Sequence, residues 1–129
     1  MRQVNPTWKS LLVLFCFHLL PLPTEAQQYS DQQIEKARKA AHHFKQQYWD
    51  CLAGEQQKML LRMASTDDFK LYIKGACLKE RHNFKVPFID LLAMKFPQKE
   101  ATEHSAAFDG IVSETLDAAV AGYISAKIQ

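Results

Sequence analysis

The sequence predicts an all-α fold, a small helical bundle built on a disulfide-bridged antiparallel helical hairpin plus a long C-terminal helix. Three observations predict it. Apolar residues recur at steps of three and four past position 30, capping signals separate the apolar stretches, and two cysteines lie at equal distances from the first turn. Strand signals are few. We expect residues 27–129 to form a single helical domain.

Residues 1–26 have the pattern of a secretory signal peptide. Arg2 and Lys9 supply positive charge, an apolar run follows at 11–20, and small residues precede position 27. The run is shorter than the about 20 residues that a bilayer requires, so we expect cleavage and no transmembrane segment in the mature chain. The mature protein is then expected in an oxidising compartment, periplasmic or extracellular.

The first predicted helix runs from 31 to about 64. Ser30 and Gln33 have the spacing of a capping box, in which each residue bonds the backbone of the other. Gly54 is expected to be tolerated or to mark a bend. The apolar face consists of Ile34, Ala37, Ala41, Phe44, Tyr48, Cys51 and Leu52.

Two further helices are predicted. Ser65 and Thr66, followed by two aspartates, are typical of a helix start, because hydroxyl oxygens and negative charge suit the exposed N–H groups there. This second helix is expected to kink or restart at Pro87 and to end near Pro97. The third, from about 98 to 127, is rich in alanine, the strongest helix former.

The cysteines support the hairpin. Loss of the signal peptide removes Cys16 and leaves Cys51 and Cys77, whose midpoint falls beside the turn at Ser65. Residues equidistant from the turn of an antiparallel hairpin face each other, so we expect a structural disulfide, worth about 3 to 4 kcal/mol. Gly54 and Gly75 have nearly the same midpoint. They indicate either a close approach of the two helices or chance placement on exposed faces.

No residue pattern points to catalysis, and we predict no enzyme, no catalytic residue and no cofactor. A disulfide leaves no thiolate, and the chain has no Gly-rich phosphate loop and no nucleophile elbow. Glu100 and His104 form at most half of a metal site, because zinc takes at least three protein ligands. His42, His43 and the other histidines are interpreted as solvated surface residues.

Charge is unevenly distributed, although the formal net charge is only +2. The first helix offers a basic contact face that includes Lys36, Lys39 and His43, and the last helix is acidic. The charges either solvate outer faces and attract neighbouring helices, or dock an anionic partner or membrane surface. Nucleic acid is not expected at so small a net charge. A second basic group consists of Lys79, Arg81, His82 and Lys85.

Aromatic residues are numerous and allow two interpretations. They either fill the core of a small domain or line an apolar pocket between helices. The core interpretation is favoured, because a small domain needs bulky side chains to bury enough surface. They include Phe44, Tyr48, Trp49, Phe69, Tyr72, Phe84, Phe88, Phe96, Phe108 and Tyr123.

Two short stretches carry a resemblance. Residues 48–52 (YWDCL) and 73–77 (IKGAC), with Glu80, resemble a pattern in small exported bacterial proteins that are helical, carry one cysteine pair and have no assigned function. The match covers about the first half of the mature chain. It implies a helical exported protein, Gram-negative in origin, and it implies no activity.

The leading functional hypothesis is an exported, non-enzymatic binding or interaction protein whose partner is a protein or another envelope component. The alternative is a small carrier with an apolar pocket between its helices, and an enzyme comes third. A carrier predicts a closed cavity lined by Phe or Tyr, whereas an interaction module predicts exposed apolar side chains. An enzyme predicts a cleft of converging polar groups with perturbed pKa values.

Overall fold

The computed structural model describes residues 28–128, which form four α-helices and no strand. The all-α prediction is confirmed for this part of the chain. The signal peptide predicted at 1–26 lies outside the described residues. No helix within 28–128 combines the length and apolar character needed to cross a membrane. The helices are α1 (Asp31–Leu61), α2 (Thr66–Gly75), α3 (Leu78–Lys95) and α4 (Ala101–Ile128).

Local capping sets the first two helix starts as predicted. The Ser30 hydroxyl accepts from the Gln33 backbone N–H, and the Gln33 side chain accepts from the Ser30 N–H at 2.8 Å, completing the capping box. Ser65 repeats the first half of this arrangement, accepting from the Asp68 N–H at 3.1 Å. Side-chain oxygens thereby satisfy donors that a helix start leaves unpaired.

The predicted restart of the helix at Pro87 is wrong, because the second arm divides ten residues earlier, at Cys77. Pro87 lies inside the uninterrupted helix α3, whereas the chain leaves helical geometry at Ala76 and Cys77. Cys77 has φ 56° and ψ 32°, the left-handed conformation that a helix cannot continue through. Gly75, a weak helix former, is the last residue of α2. The described chain therefore has four helices instead of three.

The disulfide prediction is confirmed. Cys51 of α1 and Cys77 at the start of α3 are bonded, with their Cα atoms 6.0 Å apart. The other ends of these helices also meet, since Ala37 and Ala40 share a groove with Pro87 and Met94. Tyr72 of α2 likewise donates to Glu55 of α1. The second arm of the hairpin thus consists of α2 followed by α3, and α3 makes the larger part of the contact with α1. Helix α4 packs against α1 and α3 and runs in the direction of α1.

Aromatic side chains form the centre of the bundle, as the core interpretation predicted. Phe69 of α2 and Tyr123 of α4 stack with centroids 4.1 Å apart, and both are fully buried. Phe84 of α3 packs against Phe108 of α4 at 5.3 Å. The remaining buried members of the core cluster are Tyr48, Leu52, Met59 and Ile73.

The turn after α1 is held by α4. The backbone N–H groups of Met63 and Ala64 bond the carbonyls of Leu60 and Met59, the pattern of a Schellman motif. Met63 takes the left-handed position, φ 56°, where glycine is usual. Tyr123 Oη and Lys127 Nζ each donate to the Ala64 carbonyl at 2.7 Å. The C-terminal part of α4 therefore holds the connection between α1 and α2 in place.

The glycines do not mark a close approach of helices. A Cβ at Gly54 or at Gly75 would have no atom within 4 Å, and both residues are exposed. Of the two interpretations left open by the sequence, chance placement on exposed faces is correct. Contact instead occurs at Gly122, where a Cβ would lie 3.4 Å from the amide of Gln56.

Candidate functional site

A groove between α1 and α4 is the first candidate site, and we call it the Trp49 groove. It has a volume of about 460 Å³, opens to solvent and is mostly apolar. Both walls are single helix faces, because their residues recur at steps of three, four and seven. Its lining consists of Lys45, Trp49, Leu52, Gln56, Ile111, Glu114, Thr115, Ala118 and Ala119.

Trp49 dominates the α1 wall. The residue is 43 % exposed, and the Lys45 ammonium lies 4.4 Å from the centre of its ring. This cation–π contact orients the indole along the wall. On the α4 wall, Ala118 and Ala119 have short side chains, so this wall projects little into the groove. A large apolar side chain thus stands beside open space that an incoming side chain can fill.

A second groove lies between α3 and α4, and we call it the basic cleft. Its volume is about 440 Å³. Three members of the second basic group identified in the sequence line it, whereas Lys79 does not. The full lining is Leu78, Arg81, His82, Lys85, Phe108, Asp109 and Val112.

Arg81 connects the basic cleft to the core. Tyr48 is 1 % exposed, and its hydroxyl makes no hydrogen bond to any described residue. Burial raises the pKa of the Tyr48 phenol, and the positive charge of Arg81 opposes that rise. Arg81 thus lines the cleft and also influences the pKa of a buried residue of the core.

The predicted basic face on α1 divides between two shallow grooves. Lys39 and His43 line one of them on the outer side of α1, with Arg38, whereas Lys36 lines another between α1 and α3. Glu35 lies 2.8 Å from Arg38 and 3.8 Å from Lys39. The hydrogen bond from Arg38 is the main reason that the pKa of Glu35 lies below its ordinary value. Part of the basic charge is thus compensated locally, and the role of this face stays a prediction.

Within residues 28–128 no salt bridge joins two different helices, so no ion pair supports the charge attraction between helices that the solvating interpretation offered. The five salt bridges within 28–128 each join side chains three or four positions apart. Glu55 is one example, since bonds from Lys58 and Tyr72 lower its pKa. The pKa shifts of Glu35, Glu55 and Tyr72 follow from pairwise hydrogen bonds, so they do not by themselves indicate an active site.

The cysteine pair is a crosslink with one acidic neighbour. Glu80 stands one turn after Cys77, and its carboxylate and the two sulfurs lie within 4.8 Å of one another. Metal binding by cysteine requires thiolates, which the bonded sulfurs do not supply.

The interpretation of every histidine as a surface residue is wrong for His104. It is 4 % exposed, whereas His42, His43 and His82 are exposed as predicted. His104 lies one turn before Phe108 on the inner face of α4, and burial follows from that position. Within the described residues, Glu100 and His104 belong to no group of three metal-ligating side chains.

The chain matches no protein-family model, no curated protein and no solved structure in the three comparisons made. What the protein binds is therefore inferred from the side chains of the Trp49 groove and the basic cleft.

Proposed function

We propose that this chain is an exported interaction protein and that the Trp49 groove binds an amphipathic helix of a partner protein. The observation that carries the proposal is the 43 % exposed Trp49 beside an open, mostly apolar groove of about 460 Å³. Partly exposed tryptophans next to an unfilled apolar surface are typical of binding hot spots. Export is supported by the signal-like pattern at 1–26 and by the disulfide.

The groove has the length of a short helix. Positions 45 to 56 of α1 line one wall, and positions 111 to 119 of α4 line the other. At about 1.5 Å per residue the walls extend about 12 to 16 Å, which matches two to three turns of a bound helix. Ala118 and Ala119 lower one wall, so the axis of a third helix can approach closely.

The charges at the groove define the partner further. Lys45 stands on the α1 wall and Glu114 on the α4 wall, and no salt bridge joins them. A partner helix that presents a carboxylate to Lys45, a cation to Glu114 and an apolar stripe between them complements all three features. Charge complementarity therefore favours an amphipathic helix over a purely apolar ligand.

The carrier alternative gains no support from this site. A carrier needs an enclosed pocket lined by aromatic groups, whereas the Trp49 groove is open and Trp49 is its one aromatic lining residue. Phe69, Phe84 and Phe108 are buried in the core.

Site-directed photo-crosslinking in the native cells tests the proposal. A photoreactive amino acid replaces Ala118, which is exposed in the groove, and in a matched strain it replaces Ala106, which is exposed on α4 and does not line the groove. We expect a protein adduct from position 118 only. The crosslinked segment should carry apolar residues at helical spacing. Absence of an adduct, or the same adduct from both positions, would overturn the proposal.

The crosslinked segment is then titrated as a synthetic peptide. In a Trp8→Phe background Trp49 is the sole tryptophan, so its emission should move to shorter wavelength as the peptide covers it. Calorimetry should show that Trp49→Ala weakens binding about 30-fold, the equivalent of a hot spot of about 2 kcal/mol. Trp49→Phe should retain most of the affinity. Unchanged emission at saturation would place the peptide elsewhere and refute the assignment.

A further inference from the structure

We infer that the basic cleft binds a small phosphate ester that carries a hydroxyl group. This site is separate from the Trp49 groove, because no residue lines both. Its cationic wall is built on one face of α3, where Leu78, Arg81, His82 and Lys85 stand at positions i, i+3, i+4 and i+7. The basic cleft has a volume of about 440 Å³, which is large enough for a small organic ligand.

The positive charges of the cleft have no carboxylate partner, and Lys85 instead lies 5.7 Å from the centre of the Phe108 ring. Neither Arg81 nor Lys85 takes part in any salt bridge among the described residues, and Asp109 stays beyond pairing distance although it lines the same cleft. The positive charge of α1, in contrast, is partly paired with Glu35. An anion that binds in the basic cleft would therefore contact two cations without displacing a carboxylate from either of them.

The number of hydrogen-bond donors in the basic cleft favours a phosphate ligand over a carboxylate ligand. Arg81 presents a planar fork of N–H groups, Lys85 presents an ammonium and His82 presents a ring nitrogen. A phosphate monoester has three free oxygens to accept from these groups, whereas a carboxylate has two. Arginine in particular pairs with phosphate oxygens in bidentate fashion.

Asp109 selects among phosphates. Its carboxylate would repel the phosphate group of either ligand, and an ester would offset this repulsion when a hydroxyl group on its organic part donates a hydrogen bond to Asp109. Leu78 and Val112 supply apolar surface for the carbon skeleton of such an ester. Cations, one acceptor and apolar surface together define a hydroxylated phosphate ester, of which glycerol phosphate is the simplest probe.

Calorimetry at constant ionic strength tests the site, with full-length protein and glycerol phosphate as the titrant. Lys85→Gln should weaken binding about tenfold or more, because a charge-assisted contact is lost. Lys79→Gln removes the same charge from the same helix outside the cleft, and it should change the affinity less than threefold. Circular dichroism confirms that both variants are folded. Absence of glycerol phosphate binding by the wild type, or equal losses in the two variants, would overturn the inference.

The role of Asp109 gives a second, independent readout. The wild type should bind glycerol phosphate more tightly than inorganic phosphate, and Asp109→Leu should abolish this preference by removing the acceptor of the ester's hydroxyl group. A preference that survives in Asp109→Leu would refute the assignment of this residue.

Vesicles distinguish the two sources of such an ester. Vesicles that contain lysophosphatidic acid, a lipid with a phosphate monoester and a free hydroxyl group, identify a lipid headgroup as the ligand if they compete with soluble glycerol phosphate in a Lys85-dependent manner. Soluble binding that the vesicles leave unchanged identifies a free ester. Vesicle binding without soluble binding, reduced equally by Lys79→Gln and Lys85→Gln, would show a charged surface instead of a site and would overturn the inference.

Discussion

Removal of the disulfide tests how the hairpin is stabilised. The bridge joins Cys51 and Cys77 across a sequence separation of 26 residues. By the loop-entropy relation a closed loop of that length restricts the unfolded chain by about 3.5 kcal/mol at 25 °C. A domain of this size has a free energy of unfolding of about 5 to 15 kcal/mol, so the bridge contributes a large share. We expect Cys51→Ala/Cys77→Ala to lose about 3.5 kcal/mol.

The conformation of residue 77 adds a measurable difference between variants. Cys77 has φ 56°, which costs about 1 to 2 kcal/mol for a residue with a side chain and little for glycine. Cys51→Ala/Cys77→Gly should therefore be more stable than Cys51→Ala/Cys77→Ala by about 0.5 to 1 kcal/mol, once the greater flexibility of unfolded glycine is subtracted. This comparison separates crosslink loss from backbone strain.

Urea unfolding followed by circular dichroism measures these free energies. Wild-type protein is compared in oxidised and reduced form with the two double variants. The reduced wild type and the alanine double variant should agree. A loss below about 1 kcal/mol in both would refute the loop-entropy reasoning and would show that helix packing alone holds α1 against α3.

Three further substitutions should each shift the urea midpoint in a stated direction. Met63→Gly should stabilise the protein by about 0.5 to 1 kcal/mol, because the 88 % exposed Met63 holds the left-handed position of a Schellman motif. Met63→Ala keeps the backbone strain, so an equal gain in stability from Met63→Ala would contradict this reasoning. Gly54→Ala should stabilise by about 0.5 to 1 kcal/mol, since no atom lies within 4 Å of the added Cβ. A loss instead would mean that α1 bends there. Tyr123→Phe should destabilise by about 1 to 1.5 kcal/mol, because the buried hydroxyl donates to Ala64 O at 2.7 Å. A neutral result would show that Lys127 satisfies this carbonyl alone.

The parts of the fold that the sequence predicts well are those determined by near neighbours. The capping box at Ser30 and the helix start at Ser65 depend on side chains three residues away, so sequence spacing suffices. The bridge was predictable because equal distance from a turn is a property of chain position. The break at Cys77 was not, because its left-handed conformation belongs to a junction that is also tied to α1.

The candidate sites depend on helix register, which no single stretch of sequence encodes. Trp49 directly follows the buried Tyr48, and a helix places consecutive residues about 100° apart. The position of Trp49 at the edge of the apolar face could therefore be predicted from the sequence. Whether α4 covers that flank depends on tertiary packing. The basic residues of α3 were recognised as a group, whereas Phe108 and Asp109, which complete the basic cleft, come from a helix whose placement only the structure gives.

The bridge lies between the two candidate sites and couples their walls. On α1, Cys51 is flanked by Trp49 and Leu52 of the Trp49 groove, and on α3, Cys77 immediately precedes Leu78 of the basic cleft. A covalent bond between these points limits the sliding of α3 along α1, and α4 packs against both helices. Each groove has α4 as its second wall, so its shape depends on the same three-helix register. The disulfide thus constrains the shape of both surfaces, and this constraint would lower the ordering cost of the binding proposed at each.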